Sequence, residues 1–157
     1  MTEEERRRRI TDLLSAYVHC IDDDRLEEWP SFFTFDCIYR ITSRDNHQRG
    51  LPVGIFFCEN RNMLLDRVSA LRQANIYEPH HYRHVTGDLR FLESDNGVHV
   101  VHSNYQVMRI MQNGETSLFS TGKYMDRVVF EDGQALFKER VVLMDSHRID
   151  TLLAFPL

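Results

Sequence analysis

Residues 94–145 read SDNGVHVVHSNYQVMRIMQNGETSLFSTGKYMDRVVFEDGQALFKERVVLMD, and most of the fold follows from them. Asn-Gly or Asp-Gly pairs occur at three places in this stretch, and both pairs tolerate the positive φ angles that tight hairpin turns require. The segments between the turns are rich in β-branched and aromatic residues, which favour strands. The sequence therefore predicts three consecutive antiparallel strands, a meander over 98–111, 116–131 and 134–145.

The apolar residues of the first of these segments do not alternate cleanly. Val98 and Val100 share one face, whereas Tyr105 and Val107 share the face of opposite parity. A strand that changes parity contains a β-bulge or belongs to a sheet that is covered on parts of both faces. We expect one of these two features within 98–111.

Upstream of the meander, the chain begins with a helical pattern. Apolar residues recur at i, i+3, i+4, i+7, i+8 and i+11, which predicts an amphipathic helix with one broad apolar face. These residues are Ile10, Leu13, Leu14, Tyr17, Val18 and Ile21. Thr2 with Glu5 has the spacing of a capping box, so the helix is expected to begin there.

The basic run at 6–9 has the composition of a nucleic-acid-binding arm, but its context argues otherwise. Three glutamates precede it at i,i+4 spacing, in the order that stabilises a helix: Glu3–Arg7, Glu4–Arg8 and Glu5–Arg9. The net charge of the chain is −5. We therefore predict a solvated, self-paired start of a helix and no nucleic-acid partner.

Shorter elements separate the first helix from the meander. The stretch LEEWPSFF (26–33) predicts a short helix, and DCIYRIT (36–42) alternates as a strand does, with one face more apolar than the other. A second helix is predicted over 62–73. Helices followed by a long meander form an α+β plan, in which the helices pack on one face of the sheet. The sequence predicts a single domain over 1–157.

Composition sets further limits on the class of protein. An apolar fraction of 42% and a charged fraction of 27% are ordinary for a soluble globular domain. No apolar run reaches the roughly 20 residues that span a bilayer, and no signal-peptide pattern is present. The three cysteines are widely spaced and form no zinc, iron–sulfur or disulfide signature. We expect a cytoplasmic protein with no membrane partner.

The stretch NIYEPHHYRHV (75–85) concentrates three histidines within five residues. In an extended strand His80, Tyr82 and His84 project from one face, and His80 and His84 lie about 13 Å apart, which is too far for one metal ion. We therefore predict no metal site. Interfaces favour aromatic residues and arginine, so the predicted role is a subunit interface formed by Tyr77, His80, His81, Tyr82, Arg83 and His84.

Three longer stretches carry a resemblance to a known family. They are LEEWPSFFTFDCIYRIT (26–42), MLLDRVSALRQANIYEPHHYRHVTG (63–87) and DTLLAFPL (150–157). They resemble the small (β) subunit of ring-hydroxylating aromatic dioxygenases, which are Rieske non-haem iron oxygenases. The likeness extends over essentially the whole chain and is greatest to the branch that acts on aromatic carboxylates such as terephthalate, halobenzoate, anthranilate and salicylate.

The resemblance implies a nuclear-transport-factor-like (cystatin-like) cone, in which a curved antiparallel sheet wraps around the N-terminal helices. It also implies a non-catalytic component of an oxidoreductase, with three large and three small subunits and electrons from a separate reductase. The Rieske [2Fe–2S] cluster and the mononuclear Fe(II) then belong to the large (α) subunit. This chain has no Cys-x-His or Cys-x-x-His pair, so no cofactor and no catalytic residue are expected in it.

Two questions remain open from the sequence: whether the chain is itself an enzyme, and where its apolar ending docks. The same fold also builds small dehydratases and isomerases with an Asp, His and Tyr pocket, and the residues that could form one here are Tyr17, His19, Asp22, Asp36 and Tyr39. Turnover by the isolated chain would distinguish such an enzyme from a structural subunit. The apolar ending TLLAFPL (151–157) is expected to dock either on its own sheet or against a neighbouring chain.

Overall fold

Helix α1 spans Glu3–Asp22 and begins as the sequence predicts. The Thr2 hydroxyl accepts from the Glu5 main-chain N–H at 3.1 Å, and the Glu5 carboxylate accepts from the Thr2 main-chain N–H at 3.0 Å, which completes the capping box. The predicted apolar face is buried along its whole length. Of the three predicted pairs, Glu3–Arg7 forms an ion pair at 2.8 Å, whereas Arg9 donates to the Gly133 carbonyl at 2.6 Å.

The computed structural model describes residues 1–51, 54–73, 77–146 and 155–157. The helices in this part of the chain are α1 (Glu3–Asp22), a 3₁₀ helix (Leu26–Phe32), α2 (Arg44–Gln48) and α3 (Arg61–Gln73). The strands are β1 (Phe33–Ser43), β2 (Phe56–Cys58), β3 (His80–Phe91), β4 (His99–Met111), β5 (Thr116–Glu131) and β6 (Gln134–Met144). No helix in these ranges is long and apolar enough to cross a membrane.

The predicted meander is confirmed almost to the residue. Strands β4, β5 and β6 pair antiparallel in sequence order, and β3 pairs antiparallel with β4. The turns use positive φ where expected, at Asn96 and Gly97, at Gly114, and at Asp132 and Gly133. These backbone angles match the twist of the flanking strands, so each turn fixes the register of its hairpin.

All six strands form one sheet in the order β2-β1-β6-β5-β4-β3. The predicted α+β fold, with a curved and mostly antiparallel sheet around the helices, is confirmed. One pair departs from the antiparallel expectation, because β1 runs parallel to β6. The two strands are distant in sequence, so no hairpin constrains their relative direction.

The parity change in β4 has a simple structural origin. Odd-numbered residues from Val101 to Val107 are buried, whereas Val98 lies before the strand and pairs with Asp95 in the turn. The β4–β5 register then shifts between Val107 and Met108, so the expected bulge is present, near the end of the strand. Further shifts occur between Gly87 and Arg90 in the β3–β4 pair and between Arg127 and Val128 in the β5–β6 pair.

Aromatic rings fill much of the space between the helices and the sheet. The Tyr17 ring lies 5.5 Å from Phe137 and 6.2 Å from Phe33, measured between centroids. Trp29 is fully buried, and its ring lies 5.3 Å from that of Tyr39. Since each such ring removes a large apolar area from water, this cluster is a main source of stability. It also fixes the inner face of the sheet, on which the site is built.

Candidate functional site

The stretch at 80–84 begins strand β3, and its side chains alternate as predicted. Tyr82 and His84 are buried on the inner face, with His80 half-buried beside them, whereas His81 and Arg83 are exposed on the outer face. Asn75 and Ile76, at the start of the quoted sequence, lie outside the described residues. The histidine-rich stretch is therefore divided between the interior of the chain and its surface.

Asp22 holds His84 from the end of helix α1. The Asp22 carboxylate lies 2.6 Å from Nδ1 of His84 and accepts from the His84 main-chain N–H at 2.8 Å. The His84 side chain is fully buried and the Asp22 side chain is 3% exposed. Since a carboxylate only accepts, Nδ1 carries a proton. The other ring nitrogen, Nε2, is buried and has no hydrogen-bond partner among the described residues.

Tyr82 is tied to the same interior. It is 1% exposed, and its ring stacks on Phe119 at 5.2 Å between centroids. Burial raises the pKa of the Tyr82 hydroxyl well above its usual value. The hydroxyl has no hydrogen-bond partner among the described residues. The rings of Tyr82 and His84 lie 6.2 Å apart between centroids.

Tyr77 and His80 contact Phe155, near the last residue of the sequence. The Phe155 ring lies 5.4 Å from the Tyr77 ring, 5.0 Å from His80 and 5.4 Å from Tyr82. Residues 155–157 are buried against this chain itself, so they dock in cis; residues 151–154 of the predicted apolar ending lie outside the described part. Among the residues that the structure describes, no group of three His, Cys, Asp or Glu side chains is close enough to hold a metal ion.

These positions divide the residues of the predicted subunit interface into buried and exposed sets. Tyr82 and His84 fill the interior of their own chain, and a side chain buried there is not available to a partner. His81 and Arg83 are exposed, and Tyr77 and His80 are partly exposed at the edge. Arg83 has no ionic partner in the described part of the chain. The exposed part of the strip is thus the outer face of β3, with Tyr77 and His80 at its edge.

The residues considered for an autonomous enzyme do not assemble as a set. Tyr17 and Tyr39 are fully buried, and both hydroxyls donate a hydrogen bond to the main-chain oxygen of Leu157 at 2.8 Å. His19 and Asp36 are exposed. Asp22 pairs with His84, which the sequence reasoning did not include in the pocket. An acid–base site needs an open pocket, and here residues 155–157 occupy the space beside these tyrosines.

A second buried ion pair, between Arg140 and Asp126, was not predicted from the sequence. Arg140 donates to both carboxylate oxygens of Asp126, from Nε at 2.9 Å and from an Nη at 3.2 Å, and both side chains are almost completely buried. The Arg140 guanidinium stacks on Tyr124 and Tyr17, at 3.6 and 4.2 Å from their ring centroids. Burial raises the pKa of Asp126 to about 6, although the neighbouring Arg140 acts in the opposite direction.

The cysteines take no part in either pair. Cys20, Cys37 and Cys58 are buried, unpaired thiols in the core. Burial raises the pKa of each to about 11, and a protonated thiol is a poor nucleophile. They behave as small apolar side chains.

Comparisons with known proteins identify the family. The family model "Ring hydroxylating beta subunit" matches residues 17–151. The β 1 subunit of the terminal oxygenase component of terephthalate 1,2-dioxygenase from a Comamonas species is 46% identical over 144 residues, which cover 91% of this chain and 93% of that protein. The small subunit of anthranilate 1,2-dioxygenase from Burkholderia cepacia is 45% identical and covers 92% of this chain and 90% of that one.

A solved structure agrees with these relatives. The β subunit of a protein assigned as an aromatic-ring-hydroxylating dioxygenase, from Novosphingobium aromaticivorans, superposes with a TM-score of 0.86 at 39% identity and covers 94% of both chains. The resemblance seen in the sequence is therefore confirmed, and the alternative of an autonomous dehydratase or isomerase is not favoured. The chain belongs to the β-subunit family of the ring-hydroxylating dioxygenases.

Proposed function

We propose that this chain is the small, non-catalytic subunit of a multicomponent oxygenase that hydroxylates an aromatic carboxylate. The observation that carries the proposal is the match to subunits of a terephthalate and an anthranilate dioxygenase at 45–46% identity over about nine-tenths of the chain. Both of those enzymes are named for an aromatic ring that bears a carboxylate. The chain then acts as an oxidoreductase component through assembly.

The proposed partner is a catalytic large subunit that holds the Rieske [2Fe–2S] cluster and the mononuclear Fe(II). The proposed assembly has three large and three small subunits in the cytoplasm, with electrons supplied by a separate reductase. The family membership supports this arrangement. The residue pattern is consistent with it, since a Rieske cluster takes two cysteines and two histidines and this sequence has no Cys-x-His or Cys-x-x-His pair.

The outer face of β3 is the first surface that we propose for assembly. His81 and Arg83 are exposed there, with Tyr77 and His80 at the edge. A guanidinium presents a planar fork of donors that can hold a carboxylate through two parallel hydrogen bonds. Arg83 has no acidic partner among the described residues, so its fork is available to a carboxylate of the large subunit.

The edge of the sheet at β2 is the second surface. Several large apolar side chains are exposed there, and exposed apolar patches mark interaction sites when they are large. They are Phe35 at 61%, Phe57 at 50%, Ile55 at 44% and Ile38 at 37% exposed. A groove of about 420 Å³ runs between β2 and α3, with Phe57, Met63 and Arg67 among its lining residues. Burial of this surface against another subunit would remove it from water.

Co-expression with the large subunit tests the proposal. The two chains should co-purify as one hetero-oligomer that hydroxylates the aromatic carboxylate when the reductase is present. Arg83→Ala should reduce the yield of the hetero-oligomer and the activity together, because loss of one member of a desolvated pair costs about 2–5 kcal/mol of binding free energy. Separate elution of the two chains at micromolar concentration would refute the proposal.

A matched variant distinguishes the interface from general surface charge. Arg127 is also exposed and lies on β5, so Arg127→Ala removes the same charge from another part of the sheet. We expect assembly at the wild-type level with Arg127→Ala. Equal loss of assembly with both variants would show that net charge, and not the outer face of β3, is responsible. Full assembly with loss of activity in Arg83→Ala would mean that this face affects the chemistry.

A further inference from the structure

The two edges of the sheet, β3 and β2, are protected to different degrees. β3 carries exposed charges at Arg83 and Asp88, and the His84 main-chain N–H, which points away from β4, donates to the Asp22 carboxylate at 2.8 Å. Charged side chains and covered backbone groups prevent edge strands from pairing with other chains. Apart from its shortness, β2 has no such protection within the described residues, because its sequence is Phe-Phe-Cys.

The free edge of β2 presents the backbone of Phe57. The Ile55 main-chain N–H donates to the Ile41 carbonyl at 2.8 Å, so this carbonyl points toward β2. Since successive residues of a strand direct their backbone groups to opposite sides, those of Arg40 point away from β2, and Phe57 is the register partner of Arg40. The N–H and C=O of Phe57 therefore point to the free edge, where no described strand pairs with them.

An apolar groove of about 420 Å³ borders this edge. Ile55 and Phe57 line it from β2 and the residue before it, and Met63 and Ala70 line it from α3. Ile55 and Phe57 are exposed, and the exposed apolar surface continues on the outer face to Ile38 of β1. An unpaired strand edge beside an apolar groove is the surface on which an extended peptide adds to a sheet.

One cation without a partner lies in the groove. The Arg67 guanidinium is 4.4 Å from the centroid of the Phe56 ring, and its Nε is buried without a hydrogen-bond partner. Arg67 forms no hydrogen bond or ion pair within the described residues. Asp66 also lines the groove, but consecutive residues of a helix point in different directions. A guanidinium in an apolar setting favours a carboxylate as its partner.

We propose that an extended segment of the large subunit adds to the sheet as a strand beside β2 and places a carboxylate on Arg67. This inference rests on the proposed assembly and names the contact that its second surface makes. Since the side chains of a strand alternate, the acidic residue faces α3, and the residues on either side of it lie beside Phe57 on the outer face. Three consecutive residues of the segment are therefore apolar, acidic and apolar.

Hydrogen exchange, measured by mass spectrometry with residue resolution, tests the added strand. In the isolated chain the Phe57 amide should exchange quickly, because no described residue accepts its proton. In the hetero-oligomer with the large subunit it should exchange at least about tenfold more slowly. The Ile55 amide is the internal control, because it already donates to Ile41 and should be slow in both samples.

Charge reversal tests the carboxylate. Arg67→Glu should raise the dissociation constant of the two subunits at least about thirtyfold, because it removes one member of a desolvated pair and adds repulsion. The matched control is Arg8→Glu, which makes the same change at an exposed position of α1 and should leave the dissociation constant within about twofold. Should Arg67→Glu lose cooperative unfolding, Arg67→Met keeps an apolar stem over Phe56 and should weaken binding at least about tenfold.

The outcomes separate this inference from the proposed function. If the wild-type chains do not associate, both are refuted. If they associate while the Phe57 amide still exchanges quickly, or while the Arg67 variants bind as tightly as Arg8→Glu, the added strand is refuted and the assembly stands. If the Phe57 amide is already slow in the isolated chain and becomes faster on dilution, a second copy of this chain occupies the edge, which also overturns the proposal.

Discussion

The two faces of strand β3 differ in burial more than their similar residue types suggest. On the inner face, Tyr82 and His84 are buried and His84 is held by Asp22 from helix α1. On the outer face, His81 and Arg83 are exposed and have no ionic partner within the described residues. Neighbouring residues of one short stretch thus serve different purposes. The inner residues hold this chain together, whereas the outer residues are available to another chain.

This comparison predicts the largest loss of stability for the replacement of Arg140, on the inner face of the sheet. Arg140→Ala leaves the Asp126 carboxylate buried without its counter-charge, which costs about 3–5 kcal/mol of the free energy of unfolding. Denaturant unfolding, followed by the emission of the single tryptophan, measures the loss. This tryptophan, Trp29, is fully buried and reports on the core.

Two controls accompany that variant. Lys138→Ala changes an exposed residue of the same strand and should alter the free energy of unfolding by no more than about 0.5 kcal/mol. The double variant Asp126→Leu with Arg140→Met removes both charges and keeps similar volumes, so most of the stability should return. A double variant as unstable as Arg140→Ala would mean that packing of the guanidinium, and not its charge, carries the effect.

An intermediate loss of stability is expected when Asp22 is replaced, because Asp22 lies where helix α1 meets the inner face of β3. Asp22→Ala leaves the main-chain N–H and the ring N–H of His84 buried without an acceptor. We expect a loss of about 1–3 kcal/mol in the free energy of unfolding. The neighbouring Asp23→Ala changes an exposed carboxylate and should have a much smaller effect. Equal losses from the two variants would show that the end of the helix, and not the contact with His84, is the sensitive feature.

The smallest effect on stability is expected on the outer face. Arg83→Ala removes an exposed side chain from the isolated chain, so its free energy of unfolding should change by no more than about 0.5 kcal/mol. Thermal unfolding of the purified subunit measures this. A melting temperature that falls as far as that of Asp22→Ala would place Arg83 among the residues that hold this chain together, and the contrast between the faces would disappear.

Local patterns were sufficient for most of the fold. The capping box at Thr2, the apolar face of α1 and the three Gly-containing turns each act over a few residues, so their outcome can be predicted without tertiary information. The alternation of residues 80–84 was predicted for the same reason. Which face would be buried was not, because both faces of that stretch contain polar and aromatic residues, and only contact with α1 and residues 155–157 separates them.

The two buried ionisable pairs lie beyond what sequence spacing can predict. Asp22 and His84 are joined only when the end of α1 reaches the start of β3. Asp126 and Arg140 face each other because of the bulge between Arg127 and Val128, where Val128 pairs with Phe137 and Arg127 with Glu139. A hairpin without this bulge would place Glu139, not Arg140, opposite Asp126. A single inserted residue thus decides between attraction and repulsion.

The parallel pairing of β1 with β6 has a consequence for synthesis of the protein. Register partners such as Ile38 and Glu139 lie far apart along the chain, so β1 can pair with β2 early but cannot pair with β6 until that strand has left the ribosome. The hairpins of β4, β5 and β6 need only short loops to close, and contacts between near neighbours form fastest. The apolar surface of α1 and β1 that packs against the later strands therefore stays uncovered while the rest of the chain is made, and this raises the risk of aggregation during translation.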